Sequence, residues 1–380
     1  MLSGLGFKSG TSHRSPSSMS WQQPVENSVT SLREGIERFD GIEFDLRLTC
    51  DNELVLHHDR NPSVSAEKKG ELPRYVEDCT LDEICEQGFD SFESLMKNKD
   101  FMHHWLEEAR FVCLELKIPH PRSKAGGGWL AGSKRVEHLR RMMSMCIDSL
   151  KDAEVNPNNA VFYSFHNALP RVNKSFGSDW NAVTLRPVVP PFGSSNVQRL
   201  YTLPQFIFNP LKRLIRRQRQ AGAALLPIAL EYLDGWTKHL TLGRSGALDG
   251  KGLQNFNRFR GGDPVVVWQV EDRIENLLLE AGMSPLTDNA DPNCAQWQDG
   301  TKRRFRAATL DAEGIPWHEM GNSQRRFLLE GWRKKWHWNK SVDELMASCS
   351  SSSLPWQAVR VLGHRGCGKS KRKNTLQSRS

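Results

Sequence analysis

Short apolar runs alternate with amphipathic stretches along most of the chain, and this alternation restricts the fold more than any other feature of the sequence. Such runs are typical of buried parallel strands, whereas the stretches between them have the spacing of helices. A strand-helix repeat of this kind predicts a parallel α/β fold. We predict strands at 41–48, 54–58, 111–118, 160–165, 182–189, 225–232, 264–270 and 283–288.

The number of repeats favours a closed barrel over an open sheet. The first two segments flank the turn residues Asp51 and Asn52, so they form a hairpin and count as one repeat. With a further strand near His13, the repeats match the eightfold (β/α)8 TIM-type barrel. Two polar segments, 60–100 and 190–221, fall outside the pattern and are predicted to be insertions on the barrel.

Charge is distributed unevenly between the body of the chain and its C-terminal part. Residues 301–380 contain 17 Lys and Arg against 6 Asp and Glu, whereas the preceding residues contain 35 against 38. The body therefore gives no reason to expect polyanion binding. For the Trp- and Arg-rich tail we favour a solvated helix over a nucleic-acid site. Salt-sensitive binding of nucleic acid would indicate the second.

Composition also restricts the compartment. No apolar run approaches the roughly 20 residues of a membrane helix, and the Ser- and Gly-rich N-terminus lacks the pattern of a secretory signal. The eight Cys have no metal-type spacing and are expected to be reduced thiols. We therefore predict a cytoplasmic protein. The apolar and basic residues at 211–219 leave open a peripheral membrane or lipid contact.

We predict three regions in the chain. Residues 1–292 form the barrel, residues 293–347 form a basic, Trp-rich helical appendage at the C-terminal side, and residues 348–380 contain a Ser-rich linker and a further segment discussed below.

Carboxylates recur at a spacing of two on the predicted strands. Glu43 and Asp45 point to one face of their strand, and Glu115 and Lys117 repeat the spacing on a strand with apolar neighbours. Carboxylates that converge need a cation between them, and hard oxygen ligands favour Mg²⁺ or Ca²⁺. The alternatives are solvent-facing carboxylates and a simple buried ion pair.

Imidazoles accompany these carboxylates. His58-Asp59 ends a predicted strand, and a following Asp commonly orients a His ring. His13-Arg14 precedes Glu26-Asn27-Ser28 by a loop, so these groups could converge at the start of the barrel. Each pair alone is more often a structural feature than a catalytic one.

Taken together, the motifs resemble those of the glycerophosphodiester phosphodiesterase family in order and approximate spacing over residues 12–292. They are His13-Arg14, Glu26-Asn27-Ser28, Gly41-Ile42-Glu43-Phe44-Asp45, Thr49-Cys50-Asp51-Asn52, His58-Asp59, Glu115-Leu116-Lys117, Trp268-Gln269-Val270-Glu271 and Leu286-Thr287-Asp288.

The resemblance implies a role for each matching residue. Glu43, Asp45 and Glu115 would hold a divalent metal, and Glu26 and Asp59 would support the site. His13 and His58 would act as general acid and base, with His58 preferred over His57 because it directly precedes Asp59. The remaining substrate contacts would be Arg14 and Lys117 at the phosphate and Trp268 at the alcohol.

Two departures from the family pattern concern the first motif. The family's His-Arg-Gly is His13-Arg14-Ser15 here, and the residues before His13 are weak strand formers. Ser15 adds a side chain where close backbone approach is expected. The family's Glu-Asn-Thr is Glu26-Asn27-Ser28, which is a mild change.

Near the C-terminus, Gly363-His364-Arg365-Gly366-Cys367-Gly368-Lys369-Ser370 fits the phosphate-loop pattern, but the following ten residues are too few for the helix and strand that such a loop requires. The same stretch, with Val361-Leu362 before it and Asn374-Thr375-Leu376 after it, resembles the opening of a second phosphodiesterase barrel. We expect an incomplete second barrel start, from a truncated tandem protein or a vestigial repeat.

The sequence therefore predicts a phosphoric diester hydrolase that cleaves a glycerophosphodiester, a small-molecule substrate, into glycerol phosphate and an alcohol. Attack by the substrate's glycerol hydroxyl is the route implied by the family, and attack by a metal-activated water is the alternative. Two further hypotheses remain open: a lysophospholipase D-like activity on lipids, and a catalytically degenerate barrel that binds phosphate or lipid headgroups.

Overall fold

The computed structural model describes residues 21–370 except 63–71, 178, 189–195, 243–247, 269, 271 and 298–299. Within this part of the chain it has nine strands: β1 Gly41–Leu48, β2 Leu54–Leu56, β3 Phe111–Leu116, β4 Ala160–Ser164, β5 Asn181–Thr184, β6 Leu226–Ala229, β7 Val265–Trp268, β8 Ser284–Thr287 and β9 Leu362–His364.

Eight of these strands form a parallel ring, which confirms the predicted TIM-type barrel. Their order is β5-β4-β3-β1-β9-β8-β7-β6. Arg186, just after β5, bridges to Ile228 of β6 in parallel and brings the two ends of the order together. As predicted, β2 pairs antiparallel with β1 as a hairpin and stands outside the ring.

The last strand along the chain occupies the position between β1 and β8. β9 pairs in parallel with both, joining Glu43 to His364 on one side and Leu286 to Leu362 on the other. The expectation that this segment begins a second barrel is therefore wrong: it completes the first one. Three buried apolar side chains, Val361, Leu362 and Cys367, anchor it. The strand expected near His13 lies outside the described residues.

Helices lie between the strands and around the ring: α1 Val29–Arg38, α2 Leu81–Cys85, α3 Phe92–Met96, α4 Lys99–Glu107, α5 Gly132–Asp152, α6 Leu169–Ser175, α7 Asn196–Phe208, α8 Leu211–Ala221, α9 Gly250–Arg260, α10 Asp272–Glu280, α11 Asn322–Trp336 and α12 Val342–Ala347. The first begins at Ser28, whose Oγ accepts a hydrogen bond from the Ser31 N–H at 3.1 Å. Serine therefore caps this helix as threonine would.

The two segments predicted as insertions contain helices. Residues 60–100 hold α2 and α3, and residues 190–221 include α7 and α8. The apolar side of α8, formed by Leu211, Leu214 and Ile215, is buried against the barrel. These side chains are therefore unavailable for insertion into a membrane interface, and the cations of this helix form its outer side.

Residues 293–347 carry α11 and α12, and their tryptophans are packed inward. Trp317, Trp336 and Trp338 are buried in one cluster with Phe39 and Leu279. Thus most of the aromatic residues that the sequence showed interleaved with cations serve as a core. Among the described residues, the structure contains no helix whose length and apolar character suffice to cross a bilayer.

Candidate active site

Alternation along the strands brings the chemistry-bearing side chains to one face. On β3, Phe111 and Cys113 point into the barrel's interior cluster with Leu362 of β9, so Glu115, two residues further, lies on the same face. The register between neighbouring strands places Asp45 beside Glu115 and Glu43 beside His364.

Three carboxylates converge at this place. Glu43, Asp45 and Glu115 are all buried, and one oxygen of each lies within 4.8 Å of the others. Such a separation is compatible with common ligation of one cation, given ligand bonds of about 2.0 to 2.6 Å. Glu43 Oε1 is buried and, within the described part of the chain, has no hydrogen-bond partner. The donor set and this oxygen fit a divalent metal ion.

Burial and mutual repulsion perturb these groups. Burial and the neighbouring carboxylates of Asp45 and Glu115 raise the pKa of Glu43 well above its usual range. Burial also raises the pKa of Glu115. For Asp45, burial is outweighed by the ammonium of Lys117 and by other nearby cations, so its pKa is lowered. The cluster therefore favours the presence of positive charge.

Two cations of the chain already contact it. Lys117 Nζ lies 2.7 Å from Asp45 Oδ1 and 2.5 Å from Glu115 Oε1. The guanidinium of Arg365 lies 3.2 Å from Asp45 Oδ2 through Nε and donates from Nη1 to Glu26 Oε1 at 2.8 Å. Both are placed where they could reach a phosphoryl group beside the carboxylates.

His364, the last residue of β9, lies in the same cluster. Its Nδ1 is 2.7 Å from Asp288 Oδ1, and its Nε2 is 3.7 Å from Glu43 Oε2. Burial would raise the pKa of Asp288, but the imidazole of His364 beside it holds this pKa below its usual range. Asp288 is therefore ionised, and His364 Nδ1 donates the hydrogen bond between them. Burial lowers the pKa of His364, which leaves a neutral ring with an unprotonated Nε2 at pH 7.

His58 has a similar arrangement on the neighbouring loop. Its Nδ1 lies 2.8 Å from Asp59 Oδ1. Burial and the charges of Arg365 and Lys117 lower its pKa well below the usual value, which places the ring within electrostatic range of the site. The adjacent His57 is buried, bonds the Asn61 carbonyl through Nε2 at 2.9 Å and packs against Phe89. It is a structural residue.

The loop after β9 is fitted closely around the site. The Arg365 N–H donates to Glu43 Oε2 at 3.1 Å, and the Asn27 N–H donates to the Arg365 carbonyl at 3.2 Å. Gly366 has a φ of 85°, and a Cβ there would lie 2.4 Å from the Ser31 carbonyl oxygen. A His-Arg-Gly sequence therefore fits here, and its glycine has no room for a side chain.

Other residues named from the sequence take supporting positions. Glu26 is buried and accepts hydrogen bonds from Arg365 and from the Ser370 N–H. Trp268 ends β7 with its ring edge-on to Phe165 at 5.8 Å between centroids. His13 and Arg14 lie outside the described residues, and His364 and Arg365 occupy the place beside Glu26 and Glu43 that was expected for them.

Several site residues had no role predicted from the sequence, and three of them are His364, Arg365 and Asp288. A signal for the first two was present, since apolar Val361 and Leu362 precede Gly363-His364-Arg365-Gly366, whereas weak strand formers precede His13. Asn27, another such residue, donates from Nδ2 to Asp45 Oδ2 at 2.8 Å and accepts from the Asp45 N–H at 3.0 Å.

A comparison with known protein families finds a match in the N-terminal part of the chain. Residues 10–167 match the model of the glycerophosphoryl diester phosphodiesterase family. This match confirms the family resemblance. It also agrees with the predicted class, a phosphoric diester hydrolase. The matched range includes Glu43, Asp45, His58 and Glu115 but ends before β5, so it covers less than half of the 380 residues.

Solved structures of this family are among the similar folds. A glycerophosphodiester phosphodiesterase from Thermotoga maritima is 14% identical, with 68% of this chain and 86% of that chain covered and a TM-score of 0.40. One from Parabacteroides distasonis is 16% identical, with 70% and 87% covered and a TM-score of 0.41. An Oleispira antarctica phosphodiesterase, solved with sn-glycerol-3-phosphate, is 14% identical, with 69% and 87% covered and a TM-score of 0.43. The comparison with curated proteins finds no match.

Proposed function

We propose that this protein is a metal-dependent glycerophosphodiester phosphodiesterase, with glycerol phosphate and an alcohol as products. The observation that carries the proposal is the convergence of Glu43, Asp45 and Glu115 within 4.8 Å, buried inside the barrel. The family match supports the same reaction. The substrate is a small diester, and the metal is Mg²⁺ or Ca²⁺ because the ligands are all oxygens.

Charge neutralisation is the first requirement of the reaction. A divalent cation held by the three carboxylates would polarise the phosphoryl oxygens. Lys117 and Arg365 supply positive charge from the chain itself, and their carboxylate partners fix both side chains in position. Fixed donors of this kind stabilise charge that develops in the transition state. Arg365 thus takes the phosphate role that the family resemblance gave to Arg14.

Proton transfer is the second requirement. Asp288 orients His364, and Asp59 orients His58, each through Nδ1, so both Nε2 atoms are available for exchange with substrate. We assign one ring as the base for the attacking hydroxyl and the other as the acid for the leaving oxygen. A bound phosphodiester anion favours the protonated form of the acid. Each role is worth about 10² to 10⁴ in rate.

The test is hydrolysis of glycerophosphocholine with Mg²⁺ or Ca²⁺ supplied. His364→Ala should reduce kcat by about 10² or more, whereas His13→Ala should leave it near the wild-type value. Glu43→Gln should abolish metal-dependent turnover, with the exposed Glu93→Gln as the matched control. Release of no alcohol from this or related diesters by the wild-type protein would refute the proposal. A loss in His13→Ala alone would return the acid or base role to the N-terminal segment.

A further inference from the structure

A polar cavity lies beside the catalytic loops. It has a volume of about 250 Å³ and is lined by Arg60, Asn61, Arg74, Tyr75, His120, Arg122 and Trp129. Three of these seven residues are arginines and none is acidic. Such a lining is suited to an anion, since guanidinium groups recognise phosphate and carboxylate oxygens in a planar, bidentate manner.

The cavity belongs to the same rim as the candidate active site. Arg60 follows His58 by two residues, and His120 follows Lys117 by three. The segment bearing Arg74 is tied to the His58 loop by two hydrogen bonds, from the Val76 N–H to the Arg60 carbonyl at 2.9 Å and from Asn61 Nδ2 to the Arg74 carbonyl at 2.8 Å. A substrate held by the catalytic groups could therefore extend into it.

The aromatic rings of the cavity support its guanidinium groups. Arg74 lies over Tyr75 at 5.7 Å, and Arg122 lies over Trp129 at 6.0 Å. The other ring contact of Tyr75 is a stack on His120, with centroids 4.5 Å apart. An aromatic cage for a choline-like cation needs open ring faces. Here arginines cover the rings, so the arrangement favours an anion over a quaternary ammonium.

His120 adds a neutral donor rather than a further charge. Burial and the surrounding guanidinium groups, Arg60 first, lower its pKa to about 4. Its Nδ1 accepts a hydrogen bond from the Arg122 N–H at 3.1 Å, which leaves the proton of the neutral ring on Nε2. Among the described residues, the neighbouring carboxylates each have another partner: Asp59 bonds His58 Nδ1, Glu77 pairs with Arg47 at 2.5 Å, and Asp78 accepts from the Lys124 N–H.

We propose that this basic cavity is the subsite for the alcohol part of the substrate, and that it selects glycerophosphodiesters whose alcohol carries a second anionic group, a phosphoryl group above all. The inference rests on the proposed function for its catalytic half, whereas binding of the anion depends on the cavity alone. Arg74 and Arg122 are the central residues, since each is exposed at the cavity and held over an aromatic ring.

A matched substrate pair tests the selection. Glycerophosphoinositol 4-phosphate and glycerophosphoinositol differ by one phosphoryl group, and we expect at least a tenfold lower KM for the former. Arg74→Gln with Arg122→Gln should remove this difference by raising the KM for glycerophosphoinositol 4-phosphate to the value for glycerophosphoinositol. Arg171→Gln, an exposed arginine on α6, is the control and should preserve the preference. Equal KM values for the two diesters in the wild-type protein would overturn the proposal.

Calorimetric binding separates this inference from the catalytic one. Binding of inositol 1,4-bisphosphate can be measured without turnover, and its Kd should rise at least tenfold in the double variant. In a Glu43→Gln background, the same two arginine substitutions should still raise this Kd. An unchanged Kd in the double variant would overturn the subsite even if the enzyme is active. Equal affinity for inorganic phosphate would also overturn it, because the cavity would then be a general anion site. Absence of turnover with the expected binding would contradict only the catalytic proposal.

Discussion

Arg365 and Glu26 are 339 residues apart in the sequence, yet Arg365 Nη1 donates to Glu26 Oε1 at 2.8 Å inside the site. This ion pair joins the two ends of the described chain. It also fixes the guanidinium beside Asp45, where the proposed phosphate would be bound. The C-terminal segment is consequently part of both the barrel and its chemistry.

Removal of that segment should disrupt the barrel. Deletion of 361–380 eliminates β9, exposes edges of β1 and β8, and removes the buried side chains of Val361, Leu362 and Cys367. We expect loss of the cooperative thermal transition or a large fall in Tm, followed by circular dichroism. Deletion of 371–380 alone is the control and should preserve the transition. An unchanged Tm after the longer deletion would show that another segment can supply the strand.

Gly366 should tolerate no side chain. Gly366→Ala places a Cβ at positive φ and 2.4 Å from the Ser31 carbonyl oxygen, so backbone strain of about 1 to 2 kcal/mol is increased by a steric clash. Gly177→Ala is the matched control, because its φ is 56° and, in the described part of the chain, no atom beyond its own chain neighbours lies within 4 Å of the added Cβ. Urea denaturation should show a clearly larger loss in unfolding free energy for Gly366→Ala. Equal losses would contradict the close fit of this loop.

Asp40 should be a major determinant of stability. Its buried carboxylate accepts hydrogen bonds from the N–H groups of Ala307, Ala308, Thr309 and Val361, at 2.7 to 3.0 Å, so it ties the C-terminal region and the start of β9 to the end of α1. Asp40→Ala leaves these donors unsatisfied, and we expect a loss of about 3 to 5 kcal/mol. Urea denaturation measures it, with the exposed Asp152→Ala as control. A loss near that of the control would refute this role.

Metal binding should stabilise the folded protein. A cation that binds the native carboxylates but not the unfolded chain raises Tm with its concentration. We expect such a rise with Mg²⁺ or Ca²⁺ in the wild-type protein, and a loss of the rise in Glu43→Gln, measured by differential scanning fluorimetry. Glu93→Gln should keep the wild-type response. A rise of the same size in Glu43→Gln would place the cation elsewhere.

His138 should contribute to acid sensitivity of the fold. Burial, and then the charges of Arg47 and Arg141, lower its pKa to about 4, against about 6.5 in the unfolded chain. The unfolded state therefore takes up the proton first. Stability is fully present above about pH 6.5 and is lost as the pH falls towards 4, by about 3 kcal/mol in total.

The comparison of His138→Gln with the wild-type protein measures this effect. Between pH 7.5 and 4.5, the unfolding free energy of the variant should fall by about 2 to 3 kcal/mol less than that of the wild type. His103→Gln, on an exposed side chain of α4, should follow the wild type. Parallel pH profiles for His138→Gln and the wild type would show that other groups cause the acid sensitivity.

The sequence by itself determined the local elements and the class of site. Strand β1 has the predicted bounds, and the spacing of Glu43, Asp45 and Glu115 indicated one shared face, because side-chain direction along a strand follows from its period of two. The adjacency of His58 and Asp59 in the sequence likewise indicated the contact between their side chains that the structure shows. These features depend on neighbours within a few residues.

Only the tertiary structure showed that the His-Arg pair at 364–365 enters the ring. Two segments of the sequence, at 13–14 and at 364–365, carry that motif, and the spacing to Glu26 favoured the first. In the folded chain the segment at 364–365 is held there because Leu362 pairs with both β1 and β8, Val361 before it is buried, and Gly366 fits where a side chain would meet Ser31. Contacts across hundreds of residues arise from packing, and packing leaves no periodic signal in the sequence.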